Sequence, residues 1–258
     1  VKSYPAHEGG KHGEVEMDYF VTGGTGFIGR YLIGKLLERD GQIHVLVREG
    51  SRGKLEEMRA GFGDEGEKIV PVIGDLSQPM LGVSEPEIEA LKGKIGHFFH
   101  LAAIYDMEAD AEEMRVANVE GTIHAVDLAN RLEVGCFELA SSIAVAGLYK
   151  GTWREDQFEE AENLDTHAYF RTKHESEKVV REQSKRPWRA YRPGIVVGSS
   201  ETGQMDKIDK KIENMEVRLS RYQETMIAKY AAMESMLNTL QSQQSWLSSQ
   251  ISSLTGNK

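Results

Sequence analysis

The chain lacks the cysteine pairs, the basic surplus and the long apolar runs that characterise several classes of protein. Its 258 residues include one cysteine, Cys136, so an intrachain disulfide is excluded. Lys and Arg number 31 against 41 Asp and Glu, and the net charge of -10 argues against a general nucleic-acid surface. No apolar run approaches the ~18 residues of a membrane span. We therefore expect a cytoplasmic protein without a membrane span and without a nucleic-acid partner.

Proline and glycine are also unevenly distributed. After Gly203 the chain has no proline, and its next glycine is Gly256. Residues 1–16 are polar and rich in His, Gly and Glu, without the apolar core of a secretory signal. These changes in composition predict a disordered tail over 1–16, a globular domain over 17–204 and a different kind of segment over 205–258.

Near the start of the globular part, the sequence predicts a strand–helix–strand unit. "DYFVT" and "IHVLV" are short β-rich runs, and "FIGRYLIGKLLER" between them has helical apolar spacing. The turn "TGGTGFIG" carries Gly23, Gly26 and Gly29 where the first strand meets the helix. Glycine there permits a tight turn, a close backbone approach to a pyrophosphate and close helix–strand packing. The helix N-terminus adds a partial positive charge, so the unit predicts dinucleotide binding.

The residue after the second strand indicates which dinucleotide. NAD-binding units usually carry an acid there for the ribose 2′-hydroxyl, whereas this chain has Arg48, followed by Arg52 and Lys54. A guanidinium can pair with a 2′-phosphate through two bonds, which favours NADP(H) over NAD(H). The alternative interpretation is a solvated basic loop.

Strand and helix patterns alternate through the rest of the first two hundred residues. Further strands are predicted in "KIVPVIGDL", "HFFHLAAIYD", "CFELASSIAVAG" and "WRAYRPGIVVG", and further helices in "EEMRVANVEGTIHAVDLANRL" and "AYFRTKHESEKVVREQ". This alternation predicts an α/β fold with a doubly wound, Rossmann-like parallel sheet, which binds ligands at the carboxyl ends of its strands.

Candidate catalytic groups follow the fifth predicted strand. Ser141 and Ser142 end it, and Tyr169 and Lys173 lie four residues apart on the next helix, hence on one face. An ammonium beside a phenol lowers the phenol's pKa, so the pair can exchange a proton with a carbinol oxygen that a serine hydroxyl also holds. Hydride transfer belongs to the nicotinamide.

The histidines give no comparable signal. His97, His100 and His124 are scattered without metal-ligand spacing, and we interpret them as packing or surface residues with no metal site.

Over residues 17–204 these motifs, in this order, resemble the extended short-chain dehydrogenase/reductase superfamily. "HFFHLAAIYD" together with "SSIAVAG" is most similar to its branch of fatty acyl-CoA reductases and thioester reductases. The resemblance implies a catalytic set of Ser142, Tyr169, Lys173 and Asn118, with Asn118 supporting the lysine through a water. It implies Asp75 and Leu76 near adenine. Its further cofactor contacts would be Thr25, Phe27, Ile28, Ala102 and Pro193, with Tyr169 and Lys173.

From Ile208 the apolar spacing changes to a heptad pattern that runs to Leu254 with one stutter. Such a helix would be roughly 70 Å long and could not bury its seam on a compact sheet, which predicts a coiled coil and a homo-oligomer. "YAAMESMLNTLQSQQSWLSSQ" resembles the C-terminal end of flagellar filament-capping (hook-associated 2) proteins. In the reductase family this part of the chain would instead supply a last strand and the substrate domain, so we expect a truncated α/β domain fused to a coiled-coil helix.

Two functions remain open at this point. The first is an NADP(H)-dependent oxidoreductase that acts on a small carbonyl substrate or a fatty-acyl thioester and is impaired by loss of its substrate domain. The second is a non-catalytic, oligomerising fusion of a nucleotide-binding remnant with a flagellar-cap-like coiled coil.

Overall fold

A computed structural model describes most of the first two hundred residues and part of the segment after them. The described residues are 17–104, 110–194, 196, 215–216, 218–223, 225–227, 229–230 and 233. The chain divides into two compact units, Val1–Gly194 and Ile195–Lys258. The predicted disordered tail at 1–16 lies outside the described residues.

The first unit contains a six-stranded sheet in which every pairing is parallel and the strand order is β3-β2-β1-β4-β5-β6. The strands are β1 Asp18–Thr22, β2 Ile43–Val47, β3 Ile69–Ile73, β4 Ile95–His100, β5 Cys136–Ala140 and β6 Trp188–Tyr191. Strand order reverses at β1, which has β2 on one side and β4 on the other. In open parallel sheets, ligands bind in the crevice beyond the carboxyl ends of the strands at such a reversal.

Helices connect the strands. They are α1 Phe27–Leu36, α2 Arg52–Gly61, α3 Glu85–Leu91, α4 Ala111–Met114, α5 Gly121–Arg131 and α6 Ala168–Gln183. Helices α4 and α5 are joined by a π-helical segment, Arg115–Glu120. The Rossmann-like, doubly wound prediction is confirmed.

The core has two layers because alternate residues of each strand face opposite sides of the sheet. On one side the rings of Phe20, Phe98 and Phe137 stack in sequence, with centroids 4.6 Å and 5.3 Å apart, against α3, α5 and α6. On the other side Val21 packs with Ile33 of α1. Each fully buried side chain of this size contributes ~1.5–3 kcal/mol, so the two layers hold the carboxyl edge of the sheet in place.

In the second unit, the described residues between 215 and 233 are helical. Their large apolar side chains are mostly exposed within this chain, for example Leu219 and Tyr222. Most of the predicted heptad positions, including Ile208 and Leu254, lie outside the described residues, so the coiled coil stays a prediction. Within the described part of the chain, no helix combines the length and hydropathy needed to cross a membrane.

Candidate active site

The glycine turn between β1 and α1 is closed to any larger residue. Gly23 has a φ of +72°, and a Cβ there would lie 2.7 Å from the backbone nitrogen of Ala102. A Cβ on Gly29 would overlap the carbonyl oxygen of Gly23 and lie 2.6 Å from the Cα of Gly24. Gly24 itself faces Val45 Cγ1, which would lie 2.7 Å from its Cβ. The turn therefore presents bare backbone at the carboxyl end of β1.

Helix α1 starts at this turn with its first N–H groups directed toward the same edge. Its N-cap, Gly26, has no side chain to accept from them, and the first turn carries no acidic residue. The first N–H groups of a helix lack partners within the helix, so this end can bind an anion. Phe27 and Ile28 form the first turn, and Ile28 is exposed. These features fit a pyrophosphate lying against the turn.

Arg48 and Asp75 lie near the neighbouring ends of β2 and β3. Arg48 is exposed directly after β2. Asp75 Oδ1 accepts hydrogen bonds from the Ser77 nitrogen (2.9 Å) and hydroxyl (2.8 Å). These bonds, with a contribution from the Arg48 charge, hold the pKa of Asp75 below its ordinary value. The Arg48 charge therefore acts on the Asp75 carboxylate between the ends of β2 and β3.

Leu76, the residue after Asp75, is held by α5. Its carbonyl oxygen lies 2.8 Å from His124 Nδ1, and a Cβ on Gly121 would lie 3.2 Å from the Leu76 Cβ. His124, interpreted from the sequence as a packing or surface residue, is therefore hydrogen-bonded to the loop after β3.

Lys173 and Tyr169 lie one turn apart at the start of α6. The N-cap His167 accepts a hydrogen bond from the Tyr169 nitrogen through Nδ1 (3.0 Å), which fixes the start of the helix. Lys173 is 8% exposed and its Nζ donates to the carbonyl oxygen of Ala140, the last residue of β5, at 3.2 Å. Burial lowers the pKa of Lys173 to about 8. The residue that accepts this bond, Ala140, precedes Ser142 by two residues along the chain.

The two serines after β5 have different environments. Ser142 accepts a hydrogen bond from the Ala144 nitrogen at 3.1 Å and caps the short 3-10 helix Ile143–Ala146. Ser141 instead donates to Glu177 Oε2 of α6 at 2.7 Å. Ser141 therefore has a buried structural partner and lines the pocket that includes Lys173, whereas Ser142 caps the short helix after β5.

Glu177 is the centre of that structural network. It is fully buried and also accepts from Arg181 Nη2 (2.7 Å) and Arg192 Nη2 (2.6 Å). Although burial raises it, the bonds from Arg192, Ser141 and Arg181 hold the pKa of Glu177 below its ordinary value. One carboxylate therefore joins the end of β5, helix α6 and the segment after β6.

Asn118 lies in the π-helical segment and is almost fully buried. Its side chain accepts from the Ile104 nitrogen at 2.7 Å and donates to the Ile104 oxygen at 3.0 Å. Its main-chain oxygen accepts from the hydroxyls of Thr122 (2.5 Å) and Ser176 (2.7 Å). Its Nδ2 also donates to the Thr172 hydroxyl of α6 at 3.3 Å, so Asn118 lies against that helix.

A small pocket, about large enough for one water, opens between these elements. Its lining includes Asn118, Lys173 and Ser176, and also His100, a residue interpreted from the sequence as packing. His100 is 2% exposed and lies on the same face of β4 as the core residue Phe98. The alternation of β4 could have identified His100 as a buried polar residue, and a buried polar group must find hydrogen-bond partners.

His97, on the opposite face of β4, belongs to a separate cluster. Ligand-type atoms of His97, Cys136 and Glu138 lie within 4.8 Å of one another. Glu138 is already paired with His97 Nδ1 (2.8 Å) and Arg189 Nη1 (2.9 Å), and burial raises the pKa of Cys136 to about 12. The Cys136 thiol is therefore protonated, and the Glu138 carboxylate already has two partners. This arrangement is typical of an ion-pair network.

The chain is similar in sequence to several known proteins. The chain is 32% identical over 204 residues to a linear gramicidin synthase of Brevibacillus parabrevis, covering 73% of this chain and 4% of that protein. It is 26% identical over 241 residues to L-2-aminoadipate reductase of Saccharomyces cerevisiae, covering 80% of this chain and 17% of the relative.

Among solved structures, the terminal R domain from the myxalamid PKS-NRPS biosynthetic pathway is 33% identical, with a TM-score of 0.63. The match covers 71% of this chain and 50% of that one. The chain therefore spans half of this structural relative and a small part of the gramicidin synthase and of the aminoadipate reductase.

A family model described as an NAD-binding domain, "Male sterility protein", matches residues 21–237. The match extends past residue 204, where the motifs of the reductase resemblance end. Because it includes most of the chain, the protein belongs to the Male sterility family of NAD-binding domains.

Proposed function

We propose that the chain is an NADP(H)-dependent reductase domain that acts on a carbonyl group, with an acyl thioester as its preferred substrate class. One observation carries the proposal: the buried Lys173 is bonded to Ala140 at the end of β5, one helical turn from Tyr169 and two residues before Ser142. Within the described part of the chain, this ammonium bonds to a neutral carbonyl and not to a carboxylate, which favours a chemical use over a stabilising one.

The residues at the carboxyl edge fit a dinucleotide. Gly23, Gly26 and Gly29 would hold the pyrophosphate against the start of α1, because a Cβ at Gly23 or Gly29 would clash with neighbouring backbone and force this tight turn open. Asp75 and Leu76 would border the adenine. The other proposed contacts are Thr25, Phe27, Ile28, Ala102 and Pro193, with Tyr169 and Lys173 toward the nicotinamide. The bound cofactor supplies the hydride.

Arg48 supports a preference for NADP(H). Its exposed guanidinium follows β2, where a carboxylate would otherwise select the unphosphorylated ribose. A 2′-phosphate would give Arg48 an anionic partner stronger than Asp75. Preference for NADP(H) is therefore our proposal, and NAD(P)(H) binding is the property of the family.

Side chains of the protein would then supply the proton for the reduction. Ser142 would donate a hydrogen bond to the substrate carbonyl oxygen, and Tyr169 would transfer its phenolic proton to that oxygen as hydride reaches the carbon. The Lys173 ammonium would stabilise the resulting phenolate. Asn118 would hold the wall of the pocket below Lys173. With Lys173 at a pKa of about 8, this ammonium is present at neutral pH.

An acyl thioester is consistent with the name of one relative, a fatty acyl-CoA reductase, because acyl-CoA is a thioester. Hydride would add to the thioester carbon and the Tyr169 proton to its oxygen. Loss of the thiolate, which takes up a proton, would leave the aldehyde. The balance is thioester, reduced cofactor and one proton in, and aldehyde, thiol and oxidised cofactor out.

The ordered polar site favours this enzyme over the non-catalytic alternative. Two further predictions are separate from it. The impaired turnover expected from the sequence stays a prediction, which a kcat/KM measurement tests. We also infer that the helical residues around 215–233 associate with a second copy through exposed side chains such as Met215, Leu219 and Tyr222. Light scattering of the chain with and without residues 205–258 tests this inference, and a flagellar-cap likeness of that segment remains a resemblance.

The direct test of function is a titration with NADPH and NADH, followed by turnover with acyl thioesters and aldehydes. We expect tighter binding of NADPH and NADPH-dependent formation of aldehyde from a thioester. Absence of binding of either cofactor would contradict the proposal. Binding without reduction of any thioester or aldehyde would restrict the chain to cofactor binding.

A further inference from the structure

His100 ends β4 and is buried between β1 and α5. Its Nδ1 lies 2.8 Å from the hydroxyl of Thr22, and its Nε2 lies 3.2 Å from the hydroxyl of Thr122. Thr22 and Thr122 are themselves buried. The imidazole therefore connects two hydroxyls that come from different elements and lie at opposite ends of its ring.

The hydrogen-bond directions in this chain can be assigned. The Thr122 hydroxyl donates its one hydrogen to the main-chain oxygen of Asn118 at 2.5 Å. It must then accept from His100, so the hydrogen of a neutral ring lies on Nε2. The bare Nδ1 in turn accepts from the Thr22 hydroxyl. Burial, with the nearby Lys173 charge, lowers the pKa of His100 to about 3, which keeps the ring neutral.

The Thr22 end reaches the cofactor turn. Thr22 precedes Gly23, and its hydroxyl oxygen accepts from the Ala102 nitrogen at 3.3 Å. That same nitrogen is the atom that a Cβ on Gly23 would approach to 2.7 Å. The Thr22 hydroxyl is therefore bonded to the backbone that limits the space of the glycine turn.

The other end reaches the pocket below Lys173. Thr122 donates to Asn118, whose main-chain oxygen also accepts from Ser176 of α6. His100, Asn118 and Thr122 all line that pocket together with Lys173. Hydrogen bonds thus run without a break from the turn after β1 to the wall of the pocket.

We propose that His100 is a positioning residue which, as its Nε2–H tautomer, couples the cofactor turn at Thr22 to the Lys173 pocket at Thr122 and Asn118. This role rests on the proposed function, because it concerns the spacing between cofactor and proton donor. His100 touches neither the substrate nor the cofactor in this role. His100 would affect cofactor binding through its hydrogen bonds to the Thr22 and Thr122 hydroxyls, each of which can be removed by a single substitution.

The tautomer is tested without any assay of binding or turnover. Nitrogen-15 spectra of histidine-labelled full-length protein, with the signal assigned by loss in His100→Gln, report which ring nitrogen carries the hydrogen. We expect one Nε2–H signal at pH 7 that does not titrate down to pH 5. An Nδ1–H signal, or titration with a midpoint near 6.5, would overturn the proposal.

The coupling is tested with a double-mutant cycle of Thr22→Val and Thr122→Val, read out as the Kd for NADPH. We expect each change to weaken binding about 2- to 10-fold, with the double variant weaker by less than the product of the two. Thr225→Val, whose hydroxyl bonds to Arg221 of its own helix, is the matched control and should leave the Kd unchanged. An unchanged Kd in Thr122→Val would overturn the coupling. So would a loss of affinity in the double variant that equals the product of the two single losses.

The two tests also separate this proposal from the proposed function. If the parent chain does not bind NADPH, the proposed function fails, and the same cycle measured as unfolding free energy, with the spectra, still decides whether His100 bridges the two hydroxyls. If NADPH binds to the parent and the two single losses of affinity multiply in the double variant, the proposed function stands and the positioning role of His100 fails.

Discussion

Lys173 donates a hydrogen bond from Nζ to the carbonyl oxygen of Ala140, with 3.2 Å between the two atoms. This bond joins the second turn of α6 to the last residue of β5. A neutral acceptor satisfies the ammonium without neutralising it, so its charge remains available to a neighbouring phenol. The relationship between Lys173 and Ala140 is therefore the basis of the proposed chemistry.

The buried position of Lys173 predicts a pH-dependent stability. Its pKa falls from the ordinary 10.5 to about 8 on folding, so between these values the unfolded chain binds more protons. Stability from this group therefore rises with pH across that window, by about 3 kcal/mol at most. Denaturant unfolding from pH 7.5 to 10.5 should show this rise in the parent and not in Lys173→Met. Lys178→Met, which changes an exposed residue of the same helix, should retain it; a pH-independent difference between parent and Lys173→Met would refute the shift.

The glycine turn predicts that Gly29→Ala abolishes cofactor binding. The added Cβ would overlap the Gly23 carbonyl oxygen, so the turn must open. Gly53→Ala is the matched control, because Gly53 lies in α2 with no atom within 4 Å of an added Cβ. It should bind NADPH normally and gain roughly 0.5–1 kcal/mol of stability. Normal NADPH binding by Gly29→Ala in a fluorescence titration would exclude this turn as the pyrophosphate site.

Arg48 predicts the cofactor preference. Arg48→Asp removes the guanidinium and adds a carboxylate, which repels a 2′-phosphate, so NADPH affinity should fall at least 10-fold and NADH affinity should rise or stay the same. Arg39→Asp makes the same charge change on an exposed residue before β2, at the opposite edge of the sheet. Isothermal titration with both cofactors compares the variants. An equal loss in the two variants would indicate a general charge effect and not a contact at Arg48.

Glu177 predicts a large effect on stability. Glu177→Gln removes the charge that Arg181 and Arg192 share in a buried position, and breaking a buried ion pair costs about 3–5 kcal/mol. Glu182→Gln, on the exposed end of the same helix, should change the unfolding free energy by less than about 0.5 kcal/mol. Thermal and denaturant unfolding measure both. Equal stabilities of the two variants would mean that the network does not hold β5, α6 and the segment after β6 together.

The regular part of the fold was predictable from sequence because its patterns are strong. The predicted runs for β1, β2 and α6 coincide with Asp18–Thr22, Ile43–Val47 and Ala168–Gln183. The predicted runs for β3 and β5 extend beyond the observed strands, because the residues that follow each strand leave the sheet to form its carboxyl edge. His100 ends β4 in this way, although its motif continues into "LAA".

Two helices were not predicted, for different reasons. Helix α2 buries only Leu55, so its sequence has too few apolar residues to show a helical period. Helix α3 is seven residues long, but Ser84 and Glu87 form a capping box that a search for helix starts could have found. The π-helical segment at Asn118 could not be predicted from spacing, because it depends on hydroxyls of Thr122 and Ser176 that come from two helices.

For the site, the position after β5 identified the serine pair without separating its members, and only the family resemblance selected Ser142. Ser141 and Ser142 differ by one residue along an extended chain, so they face opposite sides. Which one meets Glu177 depends on the packing of α6 against β5. The cofactor preference and the oligomer remain predictions, because they concern partners that bind from outside the chain.

The most direct test of the central claim is a single-turnover reduction by Tyr169→Phe. The change removes the phenolic proton and retains the ring, so NADPH should bind within about 2-fold of the parent while thioester-dependent oxidation of NADPH falls at least 100-fold. Stopped-flow fluorescence on the full chain measures both quantities in one sample. If Tyr169→Phe oxidises NADPH at the parent rate, then Tyr169 is not the proton donor and the proposed mechanism is wrong.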